Sequence, residues 1–418
     1  MQTLLRPSTS SAEKPRSDLG LYFALSFLTH GLAMQFGIIA QPVQFYMMKG
    51  LGLSAADIGS FLALMMLPWV IKPLYGLVSD FVPLFGYHRK SYIVLANLAA
   101  AISYGVMVFS HALPAVLICL GLVALSLAVS SAVMIGLALE QGRDNDRARD
   151  YFGIQSTYYY SANIIAAITG GLLCQHLAPP VALQAAAGLC VLPLLAVCIF
   201  TASMVREKRS KMAVQTVRTT GAVLRQALKS PQLWLVGLFF FCWNFLPCFG
   251  VPLYFFESKT LSFNQSMIGQ LAAWNAAGMV AGALVYRQLV KDMSLRLQLT
   301  ISVSLMALSI AGYFLLSSIG SAIGLELFRG IAGMIAILSL YALAGSTCPK
   351  GAEATIMALL LAIRNLTMDA STWVGGNLFT HLCHNNFYPL LIVALLPVAL
   401  SASFILLVPC QRSSARGL

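Results

Sequence analysis

The chain alternates long apolar runs with short polar or turn-rich breaks, which predicts helices near 21 to 47, 57 to 79, 91 to 111, 114 to 140, 154 to 178 and 181 to 204. A second set falls near 233 to 256, 266 to 289, 296 to 316, 319 to 345, 352 to 380 and 387 to 408. A hydrocarbon core of about 30 Å asks for about 20 apolar residues per helix. Only helices and closed barrels satisfy their backbone polar groups in lipid. Long unbroken runs, in place of short alternating segments, select helices. The expectation is an all-α membrane protein with twelve transmembrane helices.

The basic residues test that division. One side of the predicted helices carries Arg6, Lys14 and Arg16, then Arg89 and Lys90, then Arg143, Arg147 and Arg149. The same side carries Arg206, Lys208, Arg209, Lys211, Arg218, Arg225 and Lys229, and later Arg287, Lys291, Arg296, Lys350, Arg412 and Arg416. The other side carries Lys49 and Lys259. By the positive-inside rule both termini are expected on the cytoplasmic side of a cell (inner or plasma) membrane. The basic interruption splits the chain into a cytoplasmic tail at 1–18, a six-helix half at 19–204, a linker at 205–230, a second six-helix half at 231–409 and a tail at 410–418. Six plus six helices joined by a cytoplasmic linker is the organisation of the major facilitator fold, whose substrate site lies between the halves.

Composition agrees: 59% of residues are hydrophobic and 10% charged, against roughly a quarter charged in soluble domains. The net charge of +12 is spread between apolar runs, without the aromatic-interleaved basic groove of a nucleic-acid binder. The nine cysteines lie mostly inside apolar segments, with no CxxC pair, and read as small core residues. His381, Cys383 and His384 lack a fourth metal ligand, so no metal is expected. The polar first residues, with Pro7 and Pro15, lack the apolar core of a signal peptide. No phosphate-binding loop and no nucleophile elbow is present, which argues against direct ATP drive, a cofactor or enzymatic chemistry.

The clearest local feature runs from Leu67 to Asp80 and on to Gly86, Arg89 and Lys90. Gly76 permits close helix approach, and Asp80 can pair with Arg89 or a helix end to latch one conformation. The alternative is a solvated loop with incidental charges. Glu353 and Glu140, near cytoplasmic helix ends, read as further gate or loop partners.

Gln44-Phe45-Tyr46, Pro68-Trp69, Lys72-Pro73-Leu74-Tyr75-Gly76, Ser79-Asp80, Val82-Pro83, Phe85-Gly86-Tyr87 and Arg89-Lys90-Ser91-Tyr92 resemble the folate-biopterin transporter family. So does the stretch from Cys348 through Glu353 to Thr355, with Ala358 and Arg364-Asn365. The resemblance implies uptake of folate- or pterin-like anions coupled to protons. It also implies acidic residues in the fourth helix, where this chain has Ser130 and Ser131.

Charges inside a membrane are costly and mark candidate sites. Arg364 lies roughly 18 Å along its helix at about 1.5 Å per residue. Its guanidinium can grip a carboxylate at two points, or else form an ion pair with Glu326 or Asp369. Asp369 and Glu326 are the proton-coupling candidates. Glu326 and Arg329, at i and i+3, share a face and can neutralise each other. Lys72 can contact an anionic ligand or snorkel to the interface. Polar positions His30, Met34, Gly37, Gln41 and Gln44 line one face of the first helix, and Gln155, Tyr159, Asn163 and Gly170 one face of the fifth. Gln41, Gln44, Asn163 and Asn365 offer amides to a ring edge, and Tyr159, Trp243 and Trp274 offer faces for stacking. Interhelical hydrogen bonding explains these positions equally well. The expected partners are an anionic small molecule, protons and the bilayer, with the chain a monomer. Other readings are a carrier for a muropeptide- or nucleoside-like metabolite, or a non-transporting receptor.

Overall fold

The computed structural model describes residues 17–110, 112–144, 148–207, 209, 231–347 and 353–405. Apart from an isolated bridge between Leu84 and Tyr87, its regular structure is helical among the described residues. In chain order the α-helices are α1 (Ser17–Ala33), α2 (Ala40–Phe45), α3 (Ala55–Val70), α4 (Lys72–Phe81), α5 (Lys90–Phe109), α6 (Leu113–Asp144), α7 (Ala148–His176) and α8 (Pro179–Met204). After the linker come α9 (Pro231–Asn244), α10 (Val251–Phe255), α11 (Gln265–Val285), α12 (Leu295–Gly312), α13 (Ile319–Thr347), α14 (Glu353–Asn377) and α15 (Tyr388–Phe404). Among the described residues, seven segments are long and apolar enough to cross a membrane, including Ala55–Phe81, Leu113–Gln141 and Ile319–Ala344. Leu192, Ile199, Leu308 and Leu396 point outward and exposed. Helices apolar on every face call for a lipid surround.

Three predicted helices are interrupted, each for a local chemical reason. The first breaks at residues 34–39 and resumes as α2. Gly37 donates its N–H to Met34 at 2.7 Å and Ile38 to Leu32 at 2.8 Å. The carbonyl of Ala33, released from the ladder, accepts the Tyr104 hydroxyl at 2.6 Å. The seventh breaks at residues 245–250, where Pro247 and Pro252 remove donors and Gly250 takes φ +78°. The second bends at Ile71, between α3 and α4. Pro73 has no N–H to give Trp69, four residues before it. Asn365 of α14 supplies the missing donor from the other half, at 2.8 Å.

The halves repeat one backbone design at their first helices. Each break leads to a short helix (α2 or α10), then a π-helical turn, Tyr46–Gly50 or Phe256–Thr260. Leu51 and Leu261 then donate to Tyr46 and Phe256, at 3.0 and 2.9 Å. Gly52 and Ser262 follow with φ +69° and +54°. Side-chain caps then start the next helices: Ser54 accepts from the Asp57 N–H at 3.2 Å, and Asn264 from that of Met267 at 2.8 Å. Pro42, Lys49 and Gly59 correspond to Pro252, Lys259 and Gly269 in this repeat, the internal symmetry characteristic of carriers.

The halves meet through α3 against α14 and α7 against α11. A Cβ on Gly59 would lie 2.8 Å from the Thr372 carbonyl oxygen, and one on Gly171 2.9 Å from the Cα of Gly269. Small residues are needed for helix backbones to approach this closely. Ala56 donates its N–H to Thr380 at 3.0 Å on the same side, the face bearing Lys49 and Lys259. Hydrogen bonds between the halves lie on this Lys49 face and at the Trp69 carbonyl. These contacts fasten the halves on the Lys49 face.

Candidate functional site

Breaking α1 and α9 turns side chains and backbone into the space between the halves. A cavity of about 180 Å³ lies there, lined by Gln41 and Gln44 of α2, Tyr254 and Glu257 after the second break, and Glu326 and Arg329 of α13. Arg329 pairs with Glu326, with Nε at 3.1 Å, and its guanidinium lies 4.7 Å over the ring of Phe249. Glu326 also accepts the Tyr313 hydroxyl at 2.5 Å. The expected i, i+3 neutralisation of Arg329 by Glu326 is what the geometry contains. Gln41 crosses the cavity wall, donating to the backbone and side-chain carbonyls of Gln265 at 2.7 and 3.0 Å. The Tyr254 hydroxyl donates to the same side chain at 2.9 Å.

Glu257 belongs to this cavity although it lies beyond the helix that the apolar run predicts. The predicted seventh helix stopped at 256, whereas the π-helical turn carries it on to Thr260. The residue is 5% exposed. Pro252 together with Gly250 was the available signal that this helix is rebuilt and extended.

A second polar group lies in the first half. Lys72 donates to Ser131 at 2.8 Å and sits 5.1 Å over the ring of Trp69. Ser130 receives the Asn97 amide at 2.8 Å and lies 3.1 Å from His30 Nε2. His30 therefore looks into its own half, away from Gln41 and Gln44. One continuous polar stripe along helix 1 does not survive the break at 34–39. The serines leave Lys72 with a neutral partner where a carboxylate would have neutralised it.

Arg364 rides beside Asn365 at the level of Trp69. It carries a buried Nε with no hydrogen-bond partner, and Tyr159 and Tyr160 lie within its electrostatic reach. Among the described residues it forms no ion pair with Glu326 or Asp369. Asp369 is buried, with Oδ2 unpartnered and away from the cavity lining. Gln44 and Asn163 each keep a buried amide oxygen without a partner. Trp243 is packed in the apolar core, and Trp274 is exposed and outside the cavity lining. Neither offers a stacking face to this cavity.

At the Arg89 face, Arg89 pairs with Asp80 and with Glu140 at 2.5 Å, and donates to Ser79 at 2.6 Å. Asp80, Arg89 and Glu140 line a cavity of about 480 Å³ together with Gly76 and Glu207. Glu207, expected to be plain linker, accepts the backbone N–H groups of His88, Arg89 and Lys90 at 2.7, 3.1 and 2.9 Å. It caps the positive end of α5. Lys90 turns away to the Ala202 carbonyl at 2.6 Å. Glu353 opens α14, and its side chain lies outside the described residues.

Residues 30–415 match the BT1 family. The chain belongs to the BT1 family. Similar proteins include the folate-biopterin transporter of Synechocystis sp., 28% identical over 386 residues, which cover 87% of this chain and 74% of that protein. The probable folate-biopterin transporter 2 of Arabidopsis thaliana is 23% identical over 84% of this chain and 73% of its own length. Folate transporter 1 of Plasmodium falciparum is 21% identical over 82% and 73%. Among solved structures, the nucleoside transporter NupG superposes with a TM-score of 0.71 at 14% identity, over 93% of this chain and 98% of its own. A D-xylose-proton symporter gives 0.69 at 13% identity, over 93% and 97%. This BT1 chain is thus a multi-pass membrane protein of the major facilitator fold.

Proposed function

We propose that the chain is an alternating-access secondary transporter that imports folate- or pterin-like anions, driven by a proton gradient. One observation carries the substrate class. Lys72 and Arg364 approach the plane where the halves touch, at the Trp69–Asn365 contact, and neither has a carboxylate partner among the described residues. Two uncompensated cations inside a membrane are expensive, and an anionic ligand repays that cost by pairing with them. Substrate binding between the halves would draw on Gln44, Asn163 and Tyr159 for the ring. The names of the relatives support the same class. In this reading the protein works as a monomer in the cell membrane with both termini cytoplasmic. The Asp80–Arg89–Glu140 group then latches the cytoplasmic ends of the first half.

A panel of ligands read by thermal unfolding tests the substrate class, since a ligand of the folded state raises its stability by mass action. Folates or pterins should raise the melting temperature, and nucleosides and muropeptides should leave it unmoved. The reverse pattern would reassign the substrate within the same fold.

A further inference from the structure

The cavity between the halves holds one guanidinium and two carboxylates. Glu326 has taken Arg329, closing the pair with the Tyr313 hydroxyl at 2.5 Å. Glu257 faces that pair, within electrostatic reach of both members. No hydrogen bond or ion pair reaches its carboxylate among the described residues. The titratable and charged groups around it are Glu326 and Arg329 of α13, Tyr313 after α12, and Tyr254 one turn back on its own helix. The facing side chains of the other half, Gln41 and Gln44, are neutral amides. With both carboxylates ionised the cluster is net negative in a buried site; one added proton makes it neutral. Asp369 also lacks a partner at Oδ2, but no charged group faces it and it does not line the cavity.

We infer that Glu257 is the carboxylate that binds and releases the transported proton, on the reading of the chain as a proton-driven carrier. Position supplies the coupling. Tyr254, one turn before Glu257, holds Gln265, and Gln265 receives Gln41 from the first half. This bridge fastens the Lys49 face. While it is closed, Glu257 stays dry and its neutral, protonated form is the stable one, because an unpaired ionised carboxylate in a dry site is costly. When the bridge parts, water reaches the cavity from the Lys49 face and the proton exchanges with that side. Release leaves a carboxylate that competes with Glu326 for Arg329. The proton thus changes the pairing of α13 with the rebuilt seventh helix. The repeat-related position in the first half is Met47, so the device belongs to one half only.

Infrared difference spectra between acid and alkaline pH, on the full chain in liposomes, test this without any substrate. In an Asp369→Asn background, the high-frequency carbonyl band of a titrating carboxylic acid shielded from water, distinct from the bands of exposed acids, should be present. It should vanish when Glu257→Gln is added, whose amide mimics the neutral acid. It should vanish on adding Glu326→Gln as well, because Arg329, freed of its partner, then keeps Glu257 ionised. A band that persists with either glutamine, or that is missing from Asp369→Asn alone, overturns the assignment. The expected pattern, together with a wild type that takes up no folate, keeps this assignment and loses the substrate.

Discussion

Gln41 spans the boundary between the halves with one side-chain amide, reaching both the backbone and the side-chain carbonyl of Gln265 at 2.7 and 3.0 Å. The contact exists because α1 is broken. On one straight helix Gln41 would continue the line of His30, which instead packs against Ser130.

Replacing Gly269 by valine should hold the Lys49 face open. A Cβ there would stand 2.6 Å from the Ala167 carbonyl oxygen and 2.7 Å from the Cα of Gly171, and backbone cannot yield as a flexible side chain does. Spin labels on the loops of Lys49 and Lys259 should show the longer of two distances become dominant. An unchanged distance distribution would remove this packing from the closing mechanism.

Arg364→Ala should weaken anion binding on the order of 10- to 100-fold, from the about 1.5–3 kcal/mol of a charge-assisted hydrogen bond. Folding should persist, since no ion pair is lost among the described residues. Titrated thermal shifts read both at once: a smaller ligand response at a ligand-free melting temperature that is not lowered. A collapse in ligand-free stability would mean that Arg364 is a structural residue.

Ser131→Asp would give Lys72 the carboxylate that it lacks. The variant should be at least as stable as the wild type without ligand, and should bind anions less tightly, by on the order of tenfold for each 1.4 kcal/mol of attraction withdrawn. Equal or tighter anion binding would show that Lys72 does not hold the ligand.

Arg89→Ala removes contacts to Asp80, Glu140 and Ser79 together. Arg89 is buried while its carboxylate partners are about half exposed, so the loss should be on the order of 1–3 kcal/mol, below that of a fully buried pair. Lysine should recover only part, having no fork to bridge two acids. Unfolding followed in detergent measures both; no loss in the alanine variant would leave this a solvated loop.

Much of this architecture is legible in the sequence, and the misses share one cause. Apolar runs and alternating basic loops mark the rods because lipid imposes both. The pairing of Glu326 with Arg329 follows from helical spacing alone. Proline effects on a neighbour's hydrogen bonding are less visible. Pro73 frees the Trp69 carbonyl for Asn365, and the break after Ala33 frees a carbonyl for Tyr104. Each matters only once another helix is in place. Glu257 is missed because a charged residue after a long apolar run reads as the start of a loop, while here a π-helical turn carries the helix on to Thr260. Glu207 was lost because capping α5 requires a chain return that no local pattern announces.

Labelled folate uptake into proteoliposomes of the purified protein, under an imposed pH step, decides whether the protein is a proton-driven folate carrier. Accumulation above empty vesicles, collapsing when a protonophore removes the gradient, is the expected result. Well-folded protein that takes up no more folate than empty vesicles, at any imposed gradient, would contradict that reading.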